Sequence, residues 1–128
     1  MESNALSESI RIDVQTAFLE DQSDPPADRY VFAYTITIHN DGPLPAQLLT
    51  RRWLITDANG KVQEVAGDGV VGEQPRIQPG HMHRYSSGAV LETPVGTMEG
   101  SYGMVSAEGV DFSTPIPLFR LSVPGILN

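Results

Sequence analysis

Apolar and polar residues alternate with a period of two along most of the chain. In residues 9–18 the apolar side chains of Ile10, Ile12, Val14 and Phe18 share one parity. Successive side chains of a strand point to opposite faces, so such a run covers a core with one face and meets water with the other. The same pattern predicts strands at RYVFAYTITIHN, LLTRRWLITD (with Leu49, Trp53 and Ile55 on one face), KVQEV, residues 81–87, TMEGSYGMV and PLFRLSV.

Turn-forming residues separate these runs, in DQSDPPADR, NDGPLP, DANGK and AEGVD. Asn59-Gly60 between two apolar runs predicts a hairpin. No segment has a helical stripe, and 10 prolines with 12 glycines disfavour long helices. We therefore predict an all-β fold, an antiparallel β-sandwich of fibronectin type III or immunoglobulin-like type with about seven or eight strands. Because the chain has no cysteine, the fibronectin-like variant is favoured.

The length of 128 residues predicts a single domain, residues 1–128, with an ordered core at about 8–124. The first few residues and the final GILN are expected to be loose. The N-terminus lacks the apolar segment of a signal peptide, and no apolar run is long enough to cross a membrane. These features predict a cytoplasmic protein with no membrane partner.

Charge and composition narrow the chemistry. There are 16 acidic residues against 8 basic ones, for a net charge of −8. That field repels phosphate backbones, so we expect no nucleic-acid partner. The lack of cysteine excludes thiolate zinc sites and cysteine nucleophiles.

One motif invites a nucleotide-binding interpretation, since Gly67, Gly69 and Gly72 have the spacing G-x-G-x-x-G. In the dinucleotide fold the last glycine leads into a helix that holds the pyrophosphate, but Pro75 and Pro79 would interrupt a helix here. The single lysine precedes the motif, so the P-loop pattern also fails. We predict a loop between two strands in which glycine permits positive φ angles.

Three other groups of residues carry side chains that are common in metal sites, active sites or nucleic-acid contacts. His81 and His83 share a strand face and would chelate a metal only with a further ligand, which the sequence does not place nearby. Ser86-Ser87 has no recognisable catalytic triad around it. Arg51-Arg52 beside Trp53 would suggest stacking on nucleic-acid bases, but this tryptophan is predicted to face the core. We predict no catalytic residues, no metal ligands and no cofactor.

Several segments together, among them YVFAYTITIHNDG, QLLTRRWLITD and GDGVVGEQP, closely resemble the ApaG family, also called CorD. The resemblance covers about residues 29–124 and implies a fibronectin-like sandwich. It also implies an association with cobalt resistance and magnesium efflux, without an established reaction. Related domains are attached to an F-box ubiquitin-ligase subunit and to a DNA-polymerase-interacting protein, which implies a partner-binding module.

From these observations we predict a non-catalytic adaptor, a monomer or weak dimer, that contacts another protein through the glycine-rich loop and adjacent strand edges. The alternative is a small-ligand domain that binds a divalent metal or a phosphate or nucleotide at the same loop. An apolar tip, Val70-Val71, is expected to make the contact. The predicted partner-binding residues are Gly67, Asp68, Gly69, Val70, Val71, Gly72, Glu73, Gln74 and Pro75.

Overall fold

The structure is a computed structural model that describes residues 2–126. It contains eight strands, one short α-helix and two 3-10 helices. In chain order the elements are α1 (Glu2–Glu8), β1 (Ile10–Phe18), the 3-10 helices Glu20–Gln22 and Pro25–Ala27, β2 (Tyr30–Asn40), β3 (Ala46–Asp57), β4 (Val62–Asp68), β5 (Arg76–Ile77), β6 (Met82–Leu91), β7 (Val95–Ser106) and β8 (Asp111–Ser122).

The strands form two antiparallel sheets, which confirms the predicted all-β sandwich. One sheet has three strands in the order β1-β2-β6. The other has five, in the order β4-β3-β7-β8, with the short β5 also pairing with β3. The Asn59-Gly60 hairpin joins β3 to β4 as predicted, with Gly60 at φ 83 and the Asp57 carboxylate accepting the Lys61 N–H.

The core lies between the two sheets and consists of the inward parity of each strand. Ile36 and Ile38 of β2 are fully buried, as their alternation predicts. Trp53 of the second sheet packs against Tyr34 of the first, with ring centroids 5.4 Å apart, and against Phe119 of its own sheet at 5.8 Å. Such tilted aromatic pairs favour one arrangement of the facing sheets.

The inward face of β3 changes parity along the strand, contrary to the prediction from the sequence. The pairing of β3 with β7 shifts between Leu48 and Thr50, so one residue is extra at this β-bulge. Leu48 is fully buried, whereas Leu49, predicted to share the core face of Trp53, is only partly buried. Beyond the bulge the inward parity is that of Arg51, Trp53 and Ile55.

A second difference concerns the N-terminus, where loose chain was expected and residues 2–8 form α1. Leu6 packs against the core, and the Ser9 hydroxyl donates to the Leu6 carbonyl oxygen at 2.6 Å. A helix of seven residues is marginal by itself and depends on such tertiary contact. At the other end, the structure describes Gly125 and Ile126, while the last two residues of GILN lie outside the described residues.

Candidate functional site

The glycine-rich loop is an excursion from one edge of the five-stranded sheet. Asp68 of β4 pairs with Thr50, and Arg76 of β5 pairs with Gln47, both on the same side of β3. Between these two pairs the chain from β4 to β5 contains many more residues than the matching part of β3. The extra residues therefore project from the sheet as a loop. Of the nine predicted site residues, Gly67 and Asp68 end β4, and the remaining residues, 69–75, form the excursion.

The tip of the excursion is a tight two-residue turn. The Val70 N–H donates to the Glu73 carbonyl at 2.8 Å, and the Glu73 N–H donates back to the Val70 carbonyl at 3.0 Å. Between them Val71 has φ 48 and Gly72 has φ 77, the two positive angles of a type I′ turn. A β-branched residue in this region is an outlier, because its side chain crowds the backbone.

Each motif glycine has its own structural reason. A Cβ on Gly67 would lie 3.0 Å from Nη1 of Arg51, so this glycine leaves room for the arginine side chain. A Cβ on Gly69 would lie 2.4 Å from the Glu73 carbonyl oxygen, a backbone atom that has no freedom to move aside. Gly72 has open space around it but needs its positive φ. Positive φ is thus confirmed at Gly69 and Gly72, and Gly67 is required for a different reason.

The two valines of the loop have opposite environments, and the predicted apolar tip is therefore half wrong. Val70 has an exposed fraction of 0% and belongs to the core, whereas Val71 is 64% exposed. Reversal of the chain at the turn sends one side chain inward and leaves the next in water. Of the two, only Val71 presents its apolar side chain to solvent.

The rest of the loop is fastened to its surroundings by hydrogen bonds. Gln74 donates from Nε2 to the Leu49 carbonyl at 3.0 Å, and the Pro75 carbonyl accepts the Leu48 N–H at 2.9 Å. Glu73 reaches towards the three-stranded sheet, where its Oε2 lies 3.6 Å from Nε2 of His83. The tip is consequently held on a rigid base.

The side chain of Arg51 binds the backbone at the start of the loop. Its Nη1 donates to the carbonyl oxygens of Asp68 at 2.9 Å and Gly69 at 3.0 Å. Arg51 shares the inward parity of Trp53, and its guanidinium lies between the loop and the three-stranded sheet. No pattern in the sequence indicates this role, because only the tertiary structure brings the two carbonyl groups to Arg51.

A half-open cleft of about 380 Å³ separates the loop from β6. Arg51, Asp68 and Val71 line one wall, and Tyr34, Tyr85 and Ser87 line the other. Behind the cleft the hydroxyl of Tyr85 bonds that of Tyr102 across the two sheets. Burial raises the pKa of both hydroxyls well above the ordinary tyrosine value, so both are neutral near pH 7.

The two histidines of the candidate metal site have different surroundings. His81 is exposed, whereas His83 is partly buried and stacks on the Tyr85 ring with centroids 6.4 Å apart. Within residues 2–126 no three histidine, cysteine or acidic side chains are grouped as a metal site would need. Ser86 shares a hydrogen bond with Thr35, at 2.7 Å.

The surroundings of the motif differ from those of a phosphate-binding loop. After Gly72 the chain turns back into β5, and no helix of the described residues follows it. The N–H groups of Gly69, Val70 and Glu73 all donate to backbone carbonyls of the protein. In the part of the chain that the structure describes, no helix is long and apolar enough to span a membrane.

Fold and site together define a class: an antiparallel β-sandwich domain with a rigid glycine-rich turn at one sheet edge. The family model for the ApaG domain matches residues 20–106. Protein ApaG of Thiobacillus denitrificans is 60% identical over 119 residues, which cover 93% of this chain and 94% of that protein. Protein ApaG of Shewanella halifaxensis is 54% identical over 123 residues, covering 96% and 98%. The chain therefore belongs to the ApaG family.

Solved structures agree with this assignment. An X-ray structure of a structural-genomics target superposes with a TM-score of 0.91 at 54% identity, covering 95% of this chain and 92% of that one. A crystal structure of a Bordetella pertussis protein described as ApaA superposes with a TM-score of 0.89 at 46% identity, covering 91% and 95%. The C-terminal domain of wzt, at 11% identity and a TM-score of 0.53, shares the fold alone.

Proposed function

We propose that the chain is a non-catalytic adaptor that binds an extended segment of another protein along the free edge of β4. The exposure of β4 carries this proposal. Every residue of this strand except Gly67 is exposed, so water reaches both of its faces. Strand addition to a free sheet edge is a common mode of peptide recognition, in which main-chain hydrogen bonds supply much of the affinity.

The direction of the backbone groups follows from the pairing of β4 with β3. The Asp57 N–H donates to the Lys61 carbonyl, and the Gly69 N–H donates to the Leu49 carbonyl. Odd-numbered residues of β4 thus face β3, because hydrogen-bonding direction alternates along an antiparallel strand. The N–H and C=O groups of Val62, Glu64 and Ala66 therefore point outward, where no described strand pairs with them.

The opposite edge of the same sheet is formed differently. β8 carries Pro115 and Pro117, and proline has no N–H to offer a new strand. The Ser106 N–H donates to the Val110 carbonyl, so the backbone groups of the even-numbered residues of β8 as far as Ile116 face β7. The odd-numbered position of Pro115 therefore faces outward. β8 is blunted in a way that protects sheet edges from pairing, and β4 has no proline.

Apolar side chains accompany the open edge. Val62 is 57% exposed and Val65 38%, and Val71 stands at the loop tip that continues β4. These side chains would give a bound strand its specificity while the backbone holds it. Through such a partner the domain would take part in Co²⁺ and Mg²⁺ efflux, the association implied by its family resemblance.

The test selects peptides that bind the wild-type domain from a random display library and measures their affinity for two proline variants. Ala66→Pro removes one outward N–H of β4 and leaves the β3 ladder intact. Ser113→Pro is the matched control, because its N–H points outward from the β8 edge. We expect Ala66→Pro to weaken binding at least about tenfold and Ser113→Pro to leave it unchanged.

Hydrogen exchange locates the contact independently. Bound peptide should protect the amides of Val62, Glu64 and Ala66, and Val71→Asp should weaken the same peptides. Peptides that bind Ala66→Pro as well as the wild type, and that protect none of these amides, would refute strand addition at β4. If instead pyrophosphate or Co²⁺ at millimolar concentration protected the loop amides, the small-ligand alternative would replace the adaptor.

A further inference from the structure

We infer that the cleft between the glycine-rich loop and β6 is a binding site for a single carboxylate group, with Arg51 and Tyr85 as its principal donors. The inference concerns the opposite side of the loop from the β4 edge. It therefore stands whether or not β4 accepts a strand.

Arg51 is a positively charged group without an anionic partner. Among residues 2–126 three of the eight lysine and arginine side chains, those of Arg11, Arg52 and Lys61, have a carboxylate within 4.0 Å, and Arg51 is one of the five that have none. Its Nη1 is occupied by two neutral carbonyls, and its Nη2 and Nε make no hydrogen bond to the described chain. The Arg51 side chain also lines the cleft beside the loop, where these N–H groups can meet a ligand.

The guanidinium is also held in place before any ligand arrives. It lies flat over Gly67, with Nη1 and Nη2 at 3.0 Å and 3.1 Å from the position that a Cβ would occupy there. Two carbonyl acceptors fix its rotation. A planar, pre-oriented fork with free N–H groups matches the two oxygens of a carboxylate, and little side-chain entropy remains to be lost on binding.

Tyr85 supplies a second donor through its bond with Tyr102. Tyr102 is fully buried, and the Tyr85 hydroxyl is its hydrogen-bond partner across the sheets. If Tyr85 donated to Tyr102, the hydrogen of Tyr102 would be buried without an acceptor, which costs about 1–3 kcal/mol. Tyr102 therefore donates, and the hydrogen of Tyr85 is free to point into the cleft that Tyr85 lines.

The charges around the cleft restrict the ligand to one negative charge. Asp68 lines the same wall as Arg51, Glu73 lies nearby on the loop, and the whole chain carries −8. One guanidinium offsets one carboxylate, whereas a phosphate dianion or a polyphosphate would meet excess repulsion. The carboxylate has two sources, a peptide (its C-terminus or an acidic side chain) or a free small carboxylic acid.

The test is an amide-resolved NMR titration of the ¹⁵N-labelled chain with five probes. These are a tetra-alanine peptide with a free C-terminus, its amidated form, N-acetyl-glutamate amide, acetate and inorganic phosphate. We expect saturable shifts at the Arg51 Nε–H and at the amides of Gly69, Ser86 and Ser87 with at least one carboxylate probe. The amidated peptide should cause none, and phosphate should bind more weakly than the best carboxylate.

Matched variants assign the donors. Arg51→Gln should weaken carboxylate binding at least about tenfold, as expected for loss of a charge-assisted pair. Arg52→Gln is the control, because this neighbouring arginine points away and already bonds Glu64 at 2.9 Å. The double variant Tyr85→Phe with Tyr102→Phe removes both hydroxyls together, leaves none unpaired, and should weaken binding about threefold to tenfold.

The outcomes separate cleanly. Binding by the free-C-terminus peptide or the glutamate probe supports the site and distinguishes its two peptide sources, and acetate binding alone would indicate a small acid. Absence of saturable shifts with every carboxylate overturns the inference, as does equal weakening by Arg51→Gln and Arg52→Gln. Phosphate binding more tightly than all carboxylates would also overturn it.

Discussion

Replacing Val71 with asparagine should stabilise the domain, although it removes an apolar side chain. Val71 occupies the first central position of a type I′ turn at φ 48, and Gly72 follows at φ 77. Asn-Gly is the preferred pair for this turn, because asparagine tolerates the left-handed region better than a β-branched residue does. The substitution therefore relieves backbone strain at one position without altering the turn.

Two opposing contributions determine the magnitude. An L-residue in the left-handed region costs about 1–2 kcal/mol, and a β-branched side chain lies at the upper end. Val71 is 64% exposed, so the burial that is lost is about a third of a valine side chain, or about 0.5 kcal/mol. The net gain is about 0.5–1.5 kcal/mol, which for a chain of this size raises Tm by about 2–6 °C.

Urea denaturation followed by tryptophan fluorescence measures this gain, with Trp53 in the core as the reporter. The midpoint should rise while the m-value stays constant. Val62→Asn is the control, since Val62 is similarly exposed at 57% but lies in an ordinary strand, where asparagine is disfavoured. If both variants lose stability equally, backbone strain at Val71 is not present and the reasoning fails.

Further predictions concern the loop glycines and the tyrosine pair, all measured by denaturation. Gly69→Ala should lower the free energy of unfolding by more than about 2 kcal/mol, because the new Cβ would clash with a backbone oxygen and the residue would also have a positive φ. Gly72→Ala should cost about 1 kcal/mol, from the positive φ alone. Equal losses in the two variants would contradict this. Tyr85→Phe should cost about 1–3 kcal/mol, and adding Tyr102→Phe should restore part of that loss, because no buried hydroxyl then lacks a partner; additive losses would refute the pairing. Burial raises the pKa of both tyrosines in the folded state, so below about pH 10 both are neutral whether the chain is folded or unfolded, and stability does not depend on their titration. Above about pH 10 the free energy of unfolding should fall by about 1.4 kcal/mol per pH unit for each tyrosine. The double variant should lack this slope.

Local patterns decided most of the fold. Alternation in β1, β2 and β6 is visible in the sequence because each strand has one face in the core and one in water, and the same periodicity selects both the strand and its face. The Asn59-Gly60 hairpin follows from turn chemistry between neighbouring strands. The helix α1 was missed, because its seven residues carry too little apolar pattern and it forms only against the core.

The candidate site depended on tertiary structure for its chemistry. The motif glycines predicted a loop. Only the pairing of β4 and β5 with β3 shows that this loop projects from the sheet edge, with Val70 buried and Val71 exposed. The local sequence does not indicate which valine is buried, since the two residues are of the same type and adjacent.

The sequence by itself determined the strands, their order along the chain, the turns and the membership of the ApaG family. Only the tertiary structure decided that a bulge at Leu49 would bury Leu48 in its place, and that Tyr85 and Tyr102 would meet across the two sheets. The physical reason is the range of the interactions: strand periodicity and turn preference act within a few residues. A bulge, a bond between sheets and an unpaired guanidinium depend on which distant segments the folded chain brings together.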